Sequence, residues 1–328
     1  MNRLNTTALA QHIATLGRPW RTRFAPAPTG WLHLGHAVNA VWVWGLARAF
    51  GGRVILRIED HDRGRCRPEF EHGLLDDLEW LGLEPDEGTL PGLRHGRSAY
   101  RQSDQGPLYA NALEALERDG RAYPCQCSRR DIAAMVGDVS NRETPYPGTC
   151  RDARVDGAQV LARRVRLDAI TETFVDLRLG VQAQAPATQC GDVLVRDRHG
   201  DFTYQWCVVV DDDRQQVDIV IRGEDLLEST GRQLALARLV GRASPPRYLH
   251  HPLVLRPDGA KLSKAGHDTG LREMRAAGVS AENVIGLAAH ASGMIDRPMS
   301  LRAADLASVV AEWAPAARSP LVPDSPRP

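Results

Sequence analysis

The stretch Arg23-Phe-Ala-Pro-Ala-Pro-Thr-Gly-Trp-Leu-His33-Leu-Gly-His36 decides how this chain is read. Thr22 to Ala25 has strand character, and Pro26 and Pro28 stiffen the turn that follows. Gly30 and Gly35 permit tight turning and close approach of the backbone to a ligand. From His36 to Phe50 the chain is apolar and aromatic at helical length, through Val38, Val41, Trp42, Trp44 and Leu46, and Gly51-Gly52 closes it. A helix entered in this way turns its positive end and its orphan N–H groups toward the turn, where a phosphate can sit. Two imidazoles three residues apart at that point can donate hydrogen bonds to a reacting phosphate. Taken alone, His-x-Gly-His reads equally well as solvated turn histidines or a helix cap. The Pro-x-Pro-Thr-Gly prefix tips the reading to a phosphate site.

Working outward, Arg53 to Ile58 is a β-rich run with few polar breaks, as a buried parallel strand requires. A helix follows over about Pro68 to Leu81, with proline where the first helical position tolerates it and Gly82 just beyond the end. Strand, turn, helix, strand, helix is the rhythm of an open α/β nucleotide-binding sheet. The span 96–200 is more mixed: a helix from Gly106 to Asp119, a cysteine cluster, and short strands at Leu161–Leu167 and Asp192–Arg196. It reads as an insertion between a first catalytic half (21–95) and a second (201–264). In the second half the α/β rhythm returns through Phe202–Asp211, Val217–Arg222 and a helix over Ser229–Val240, before a loop-rich segment at 245–264. A peripheral segment (1–20, with a short helix over Thr7–Leu16), a helical stretch (265–313) and a Pro- and Ser-rich tail (314–328) complete the expected organisation.

Composition sets outer bounds. At 328 residues, 43% hydrophobic and 25% charged, the chain is ordinary globular protein of about two domains and needs no metal merely to fold. Lys plus Arg equals Asp plus Glu at 41 each, which excludes a polybasic coat but not a local basic surface. No apolar run reaches the ~18 residues of a spanning helix. The first 20 residues lack a secretory pattern, so a cytoplasmic protein without membrane contact is expected. In such a chain the six cysteines point to reduced thiols or a metal site rather than disulfides.

Far downstream stands Lys261-Leu-Ser-Lys264. Alone it is a solvated loop, but lysines three apart can fold over a triphosphate and neutralise charge growing in a transition state. Together with the opening stretch, with Arg57-Ile-Glu59-Asp60 and with Ile221-Arg222-Gly-Glu-Asp225, it resembles the class I aminoacyl-tRNA synthetases, in the glutamyl branch. The likeness runs co-linearly from 23 to 264. It implies a Rossmann-like catalytic domain carrying an inserted, zinc-containing acceptor subdomain. Only about 64 residues follow Lys264, too few for the branch's anticodon-binding domain, so the chain is similar to its truncated paralogues. Those activate glutamate with ATP and Mg²⁺, without tRNA, and attach it to queuosine in the anticodon loop of tRNA(Asp).

Carried over residue by residue, the resemblance assigns Arg23 and Arg222 to the glutamate pocket, where a guanidinium fork suits a carboxylate. It assigns Glu59 to the substrate ammonium, Tyr204 to the pocket wall, and Ala25 a backbone contact. His33, Gly35 and His36 fall to the ATP phosphates, and Lys261 and Lys264 to the transition state. Without the neighbouring motifs, Arg23, Glu59 and Arg222 would pass for ordinary strand-end ion pairs.

Cys125-Gln-Cys127 and Cys150 offer three thiolates, a set that suits one structural zinc; reduced cysteines in a turn are the plainer reading. The residues alone supply no fourth ligand, and the resemblance supplies Tyr146. Arg129, Arg130 and Arg151 flank the cluster as candidates for RNA contact, or as simple solvated charge, and Cys66, Cys190 and Cys207 read as incidental. The chain departs from the branch at Ala27 and Ala265, each in place of serine, and at Trp31. Alternatives to the queuosine acceptor are a carrier protein or small amine, or a non-catalytic RNA-binding relic. A monomer is expected.

Overall fold

The computed structural model describes residues 4–137, 144–153, 161–254 and 270–314. The first strand, Arg21–Phe24, pairs in parallel with Arg53–Leu56, Arg21 standing opposite Arg53. The helix between them spans Leu34–Ala49 and buries Val38, Val41, Trp42, Val43 and Leu46. Apolar all round, it can only lie inside. It packs against both strands and against helices Ala281–Ala291 and Leu306–Trp313. The next helix, Pro68–Trp80, carries its proline in the first turn and ends before Gly82, whose φ of 67° is the left-handed stop expected there.

A four-stranded sheet runs in the order Gly180–Gln184, Glu172–Asp176, Arg247–His251, Ile219–Gly223. The last two strands are parallel, with Arg222 opposite His250. Asp218 stitches this sheet to the first: its amide donates to the Arg21 carbonyl (2.9 Å) and its Oδ2 accepts the Arg21 amide (2.8 Å). The parallel strands therefore all end on one edge, which gathers the loops after Phe24, Leu56, Gly223 and His251. Open α/β sheets bind their ligands at that edge.

Two segments differ from expectation. Arg247–His251, inside the segment read as loop-rich, is an interior strand with Tyr248, Leu249, His250 and His251 buried. Prolines on both flanks and two histidines disguise it, because a five-residue run carries little periodicity. The hairpin Glu172–Asp176 with Gly180–Gln184 falls within the span read as an insertion, yet it joins the parallel sheet, with Asp176 opposite Tyr248. The rest of that span holds an antiparallel sheet of Ala122–Cys125, Ala162–Val165 and Val193–Arg196. Its core, with Val165, Val193 and Val195, is shared with Tyr109 and Leu113 of helix Gly106–Arg118 and Trp206 of helix Tyr204–Arg214. Among the described residues no helix is long and apolar enough to cross a membrane.

Candidate active site and metal centre

His33 caps the Leu34–Ala49 helix, and its extended backbone (φ −135°) lets the side chain fold back on the first turn. Its Nδ1 accepts the Gly35 amide at 3.1 Å, while Nδ1 of His36 accepts the His33 amide at 3.1 Å. The ring centroids lie 4.0 Å apart. With both Nδ1 atoms acting as acceptors, each ring carries its proton on Nε2. The helix end thus carries two imidazole donors, while the amides of His33, Gly35, His36 and Ala37 bond within the cap. A cavity of about 460 Å³ opens beside it, lined by His33, Gly35, His36, Arg222, His251 and Leu253 among others. Lys261, Lys264 and Ala265 lie outside the described residues.

Arg23, Glu59, Tyr204 and Arg222 come together at the sheet edge from four separate elements. Arg23, 4% exposed, is held by Asp212 at Nε (3.4 Å) and the Ile221 carbonyl at Nη1 (3.2 Å). Glu59 receives Nη2 of Arg57 at 2.9 Å. Tyr204 opens its helix; burial and then the Glu59 carboxylate push its hydroxyl pKa up, against Arg222 and Arg23. Arg222 is buried at the end of its strand. Ala25 follows the first strand, half-buried. Arg23 and Glu59 are each ion-paired, as the plainer reading holds, Arg23 with Asp212 and Glu59 with Arg57, and the Arg57–Asp212 pair ties the two together.

The residues doing that orienting are not evident in the sequence. Arg57, with no exposed surface, donates Nη1 to Asp212 (2.7 Å) and Gln215 (2.9 Å) as well as Nη2 to Glu59. Asp212 lies inside the acidic run Asp211-Asp212-Asp213. Burial opposes its charge, but Arg57 and then Arg23 hold its carboxyl below the usual range. That acidic run, opposite two strand-end arginines, was the available signal.

Trp31 packs against the Pro68–Trp80 helix and Arg272. Its indole packs edge-on against Phe70 (5.1 Å) and lies under the Arg272 guanidinium (4.6 Å). A methyl on Gly73 would fall 2.4 Å from its ring, so this helix position is glycine to admit the indole. Ala27 is half-buried.

At the far end of the antiparallel sheet, Cys125, Cys127 and Cys150 bring their sulfurs within 4.8 Å of one another. The Tyr146 hydroxyl stands 3.4 Å from the Cys125 sulfur and 3.9 Å from that of Cys127, and the Cys127 and Cys150 sulfurs are 3.5 Å apart. Tetrahedral zinc with bonds of about 2.3 Å to sulfur and 2.0 Å to oxygen needs ligand separations of roughly 3.5–3.8 Å. These three separations lie within about 0.1 Å of that range, and the three sulfurs all fall within 4.8 Å of one another. Tyr146 is set by Gly191, whose φ of 66° and missing Cβ let the two backbones meet; a methyl there would lie 2.1 Å from the Tyr146 carbonyl oxygen. Arg164 lies over the Tyr146 ring at 3.8 Å and donates to the Cys125 sulfur at 3.4 Å, holding both side chains in place. Of the flanking arginines, Arg129 and Arg130 are exposed, whereas Arg151 forks onto buried Asp192 and braces the fold.

Residues 19–285 match the family model described as the catalytic domain of class I tRNA synthetases (E and Q). A protein named glutamyl-Q tRNA(Asp) synthetase from Symbiobacterium thermophilum is 43% identical over 88% of this chain and 91% of its own. Another of that name, from Rhodobacter capsulatus, is 43% identical over 80% of this chain and 97% of its own. The chain belongs to the glutamyl-Q tRNA(Asp) synthetase family. It is a ligase built on the class I synthetase catalytic domain. Among solved structures, a glutamate tRNA ligase from Elizabethkingia meningosepticum, crystallised with its amino acid, superposes with a TM-score of 0.72 at 26% identity. That match covers 88% of this chain but 64% of the other, so the chain spans less than two thirds of that ligase. The glutamate-tRNA synthetase of Elizabethkingia anophelis gives 0.65 at 28% identity, over 79% of this chain and 54% of its own.

Proposed function

We propose that this chain activates L-glutamate with ATP in the absence of tRNA and transfers it to queuosine at the anticodon wobble position of tRNA(Asp). The observation that carries the reading is the convergence of Arg23, Glu59, Tyr204 and Arg222 at the sheet edge that also holds the His33–His36 helix end. Two guanidinium groups, one carboxylate and one phenol match the two carboxylates and one ammonium of glutamate. Relatives carrying the glutamyl-Q name at similar length supply the acceptor.

In the first step a glutamate carboxylate oxygen attacks the α-phosphorus of ATP in line, and pyrophosphate leaves with the bonding pair. Arg23, Arg222, Glu59 and the Ala25 backbone hold the amino acid, with Tyr204 as the wall. His33 and His36 donate to phosphate oxygens, Gly35 lets the backbone approach closely, and Lys261 and Lys264 meet the charge that grows as the bond breaks. Mg²⁺ arriving with ATP adds to that neutralisation. Positioning and fixed dipoles do the work, and no protein nucleophile is required. In the second step a hydroxyl of the queuosine cyclopentene-diol attacks the acyl carbon and AMP departs. Cys125, Cys127, Tyr146 and Cys150 would hold one structural zinc, bracing the knuckle from which Arg129 and Arg130 reach an anticodon loop. Both substrates place the protein in the cytoplasm.

Transfer is tested with labelled glutamate, ATP and two forms of tRNA(Asp), one bearing queuosine and one bearing guanosine at the wobble position. The label is expected only on the queuosine form and, after nuclease digestion, only in the anticodon fragment. Label on both forms, or on neither, overturns the acceptor assignment.

A further inference from the structure

Arg222, His250 and Asp176 form a chain of hydrogen bonds across three adjacent strands. Nε of Arg222 donates to Nε2 of His250 (3.0 Å), and Nδ1 of His250 meets Oδ2 of Asp176 (2.7 Å). All three are buried, His250 with no exposed surface. The strand register sets Arg222 opposite His250, and Asp176 opposite Tyr248, two residues before His250 and on the same face of the sheet. Because His250 accepts at Nε2, its proton sits on Nδ1, and Asp176 is the group that takes it. Asp176 is itself fixed: Oδ1 accepts the amides of Arg178 (3.0 Å) and Leu179 (2.8 Å), and Oδ2 the amide of His250 (3.1 Å).

The remaining nitrogens of Arg222 are also held, Nη1 by Gln233 Oε1 (2.7 Å) and Nη2 by Thr230 Oγ1 (2.8 Å). A guanidinium carries five N–H donors. With one used on each nitrogen, one N–H is left on each terminal nitrogen, a pair suited to the two oxygens of one carboxylate.

We propose that His250 and Asp176 are positioning residues that lock the Arg222 guanidinium in the one rotation that keeps this donor pair for the amino acid's carboxylate. The inference rests on the reading that Arg222 receives glutamate. His250 never touches substrate; it acts through Arg222. A protonated His250 would turn a second donor on Arg222 Nε, and burial together with the neighbouring Arg222 and Arg23 charges keeps its pKa below the ordinary histidine value. Asp176 opposes that shift, and its carboxylate selects the tautomer.

The test is ATP–pyrophosphate exchange on the full chain with His250→Phe, which removes the acceptor, and His250→Gln, which restores a carbonyl acceptor. Loss of one charge-assisted bond that orients a ligand group corresponds to roughly tenfold or more in binding. The Phe variant is expected to raise KM for glutamate by about that factor while KM for ATP and kcat stay within about twofold, and the Gln variant to recover most of the loss. Equal changes in both KM values, or an unchanged glutamate KM in folded His250→Phe, overturn the proposal. Long-range ¹H–¹⁵N correlation, with the His250 signal assigned by its loss in His250→Gln, reads the tautomer on the wild type itself. The Nδ1–H tautomer at neutral pH is expected, and the Nε2–H tautomer overturns the lock. Arg222→Ala separates the two layers: if it leaves the glutamate KM unchanged, the Arg222 reading falls and the proposal with it. If it raises that KM and His250→Phe does not, only the positioning role falls.

Discussion

Replacing Arg57 with Leu should cost more stability than any comparable change near the site, and the loss should fade in acid. Arg57 is fully buried and has three acceptors, Asp212 at 2.7 Å, Gln215 at 2.9 Å and Glu59 at 2.9 Å, with Asp211 at 3.8 Å from Nε. Leucine fills most of the aliphatic volume but leaves the buried Asp212 and Glu59 short of their main countercharge. Breaking a buried pair from one side costs about 3–5 kcal/mol, because a charge stays behind without compensation. Arg23 still reaches Asp212, at a longer 3.4 Å, so the lower end of that range, about 3 kcal/mol, is expected at pH 7.5. The sign with pH follows from Asp212, whose folded pKa lies below its ordinary value: burial works against the charge, and Arg57 then Arg23 outweigh it. Its pairing stabilises the fold above the unfolded carboxylate pKa of about 3.9 and is lost as pH falls through the folded value. Urea unfolding of wild type and Arg57→Leu between pH 7.5 and 2.5 measures this directly. A difference near 3 kcal/mol that shrinks as pH falls below about 4 is expected. A difference below about 1 kcal/mol at pH 7.5, or one that grows in acid, would refute the reasoning.

Three further outcomes follow from other sites. Asp77 is buried with Oδ2 unpartnered among the described residues, and burial pushes its carboxyl up to about 6 against the pull of Arg275. Folding is then favoured below its unfolded pKa and loses stability as pH rises through 6, so Asp77→Asn should stabilise by about 2 kcal/mol at pH 8 and by almost nothing at pH 4 in urea melts. Gly73→Ala should displace the Trp31 indole and cost about 1–3 kcal/mol despite alanine's better helix propensity, read by thermal unfolding and Trp fluorescence. Gly191→Ala should push Tyr146 off the cysteine cluster; metal analysis should find about one zinc per chain in the wild type and less in the variant after dialysis against a weak chelator.

The turn and cap ahead of the Leu34–Ala49 helix were readable because they are local. Pro26 through His36 encodes a turn, a cap and a helix start in one uninterrupted stretch, and the structure forms its helix two residues ahead of the expected His36. The cysteine cluster was legible for a similar reason: Cys125 and Cys127 are two apart, and side chains so close in sequence need only one partner loop to meet. The support around Arg23, Glu59 and Arg222 was not legible. Arg57 and Asp212 are 155 positions apart, and Asp176 and His250 are 74 apart. Nothing in either local pattern separates a buried charge with a partner from a solvated one. The strand Arg247–His251 failed for want of length, since five residues between prolines with two histidines carry no clear alternation, although burial and sheet position make it interior.

The most direct measurement is glutamate-dependent ATP–pyrophosphate exchange on the purified chain with no tRNA present, with aspartate and glutamine as controls and Arg23→Ala beside the wild type. The account predicts exchange with glutamate alone, lost or reduced at least tenfold in kcat/KM by the variant, which removes the guanidinium that Asp212 and the Ile221 carbonyl hold in place. Folded, zinc-loaded protein that exchanges with none of the three amino acids, or equally with all of them, would contradict it.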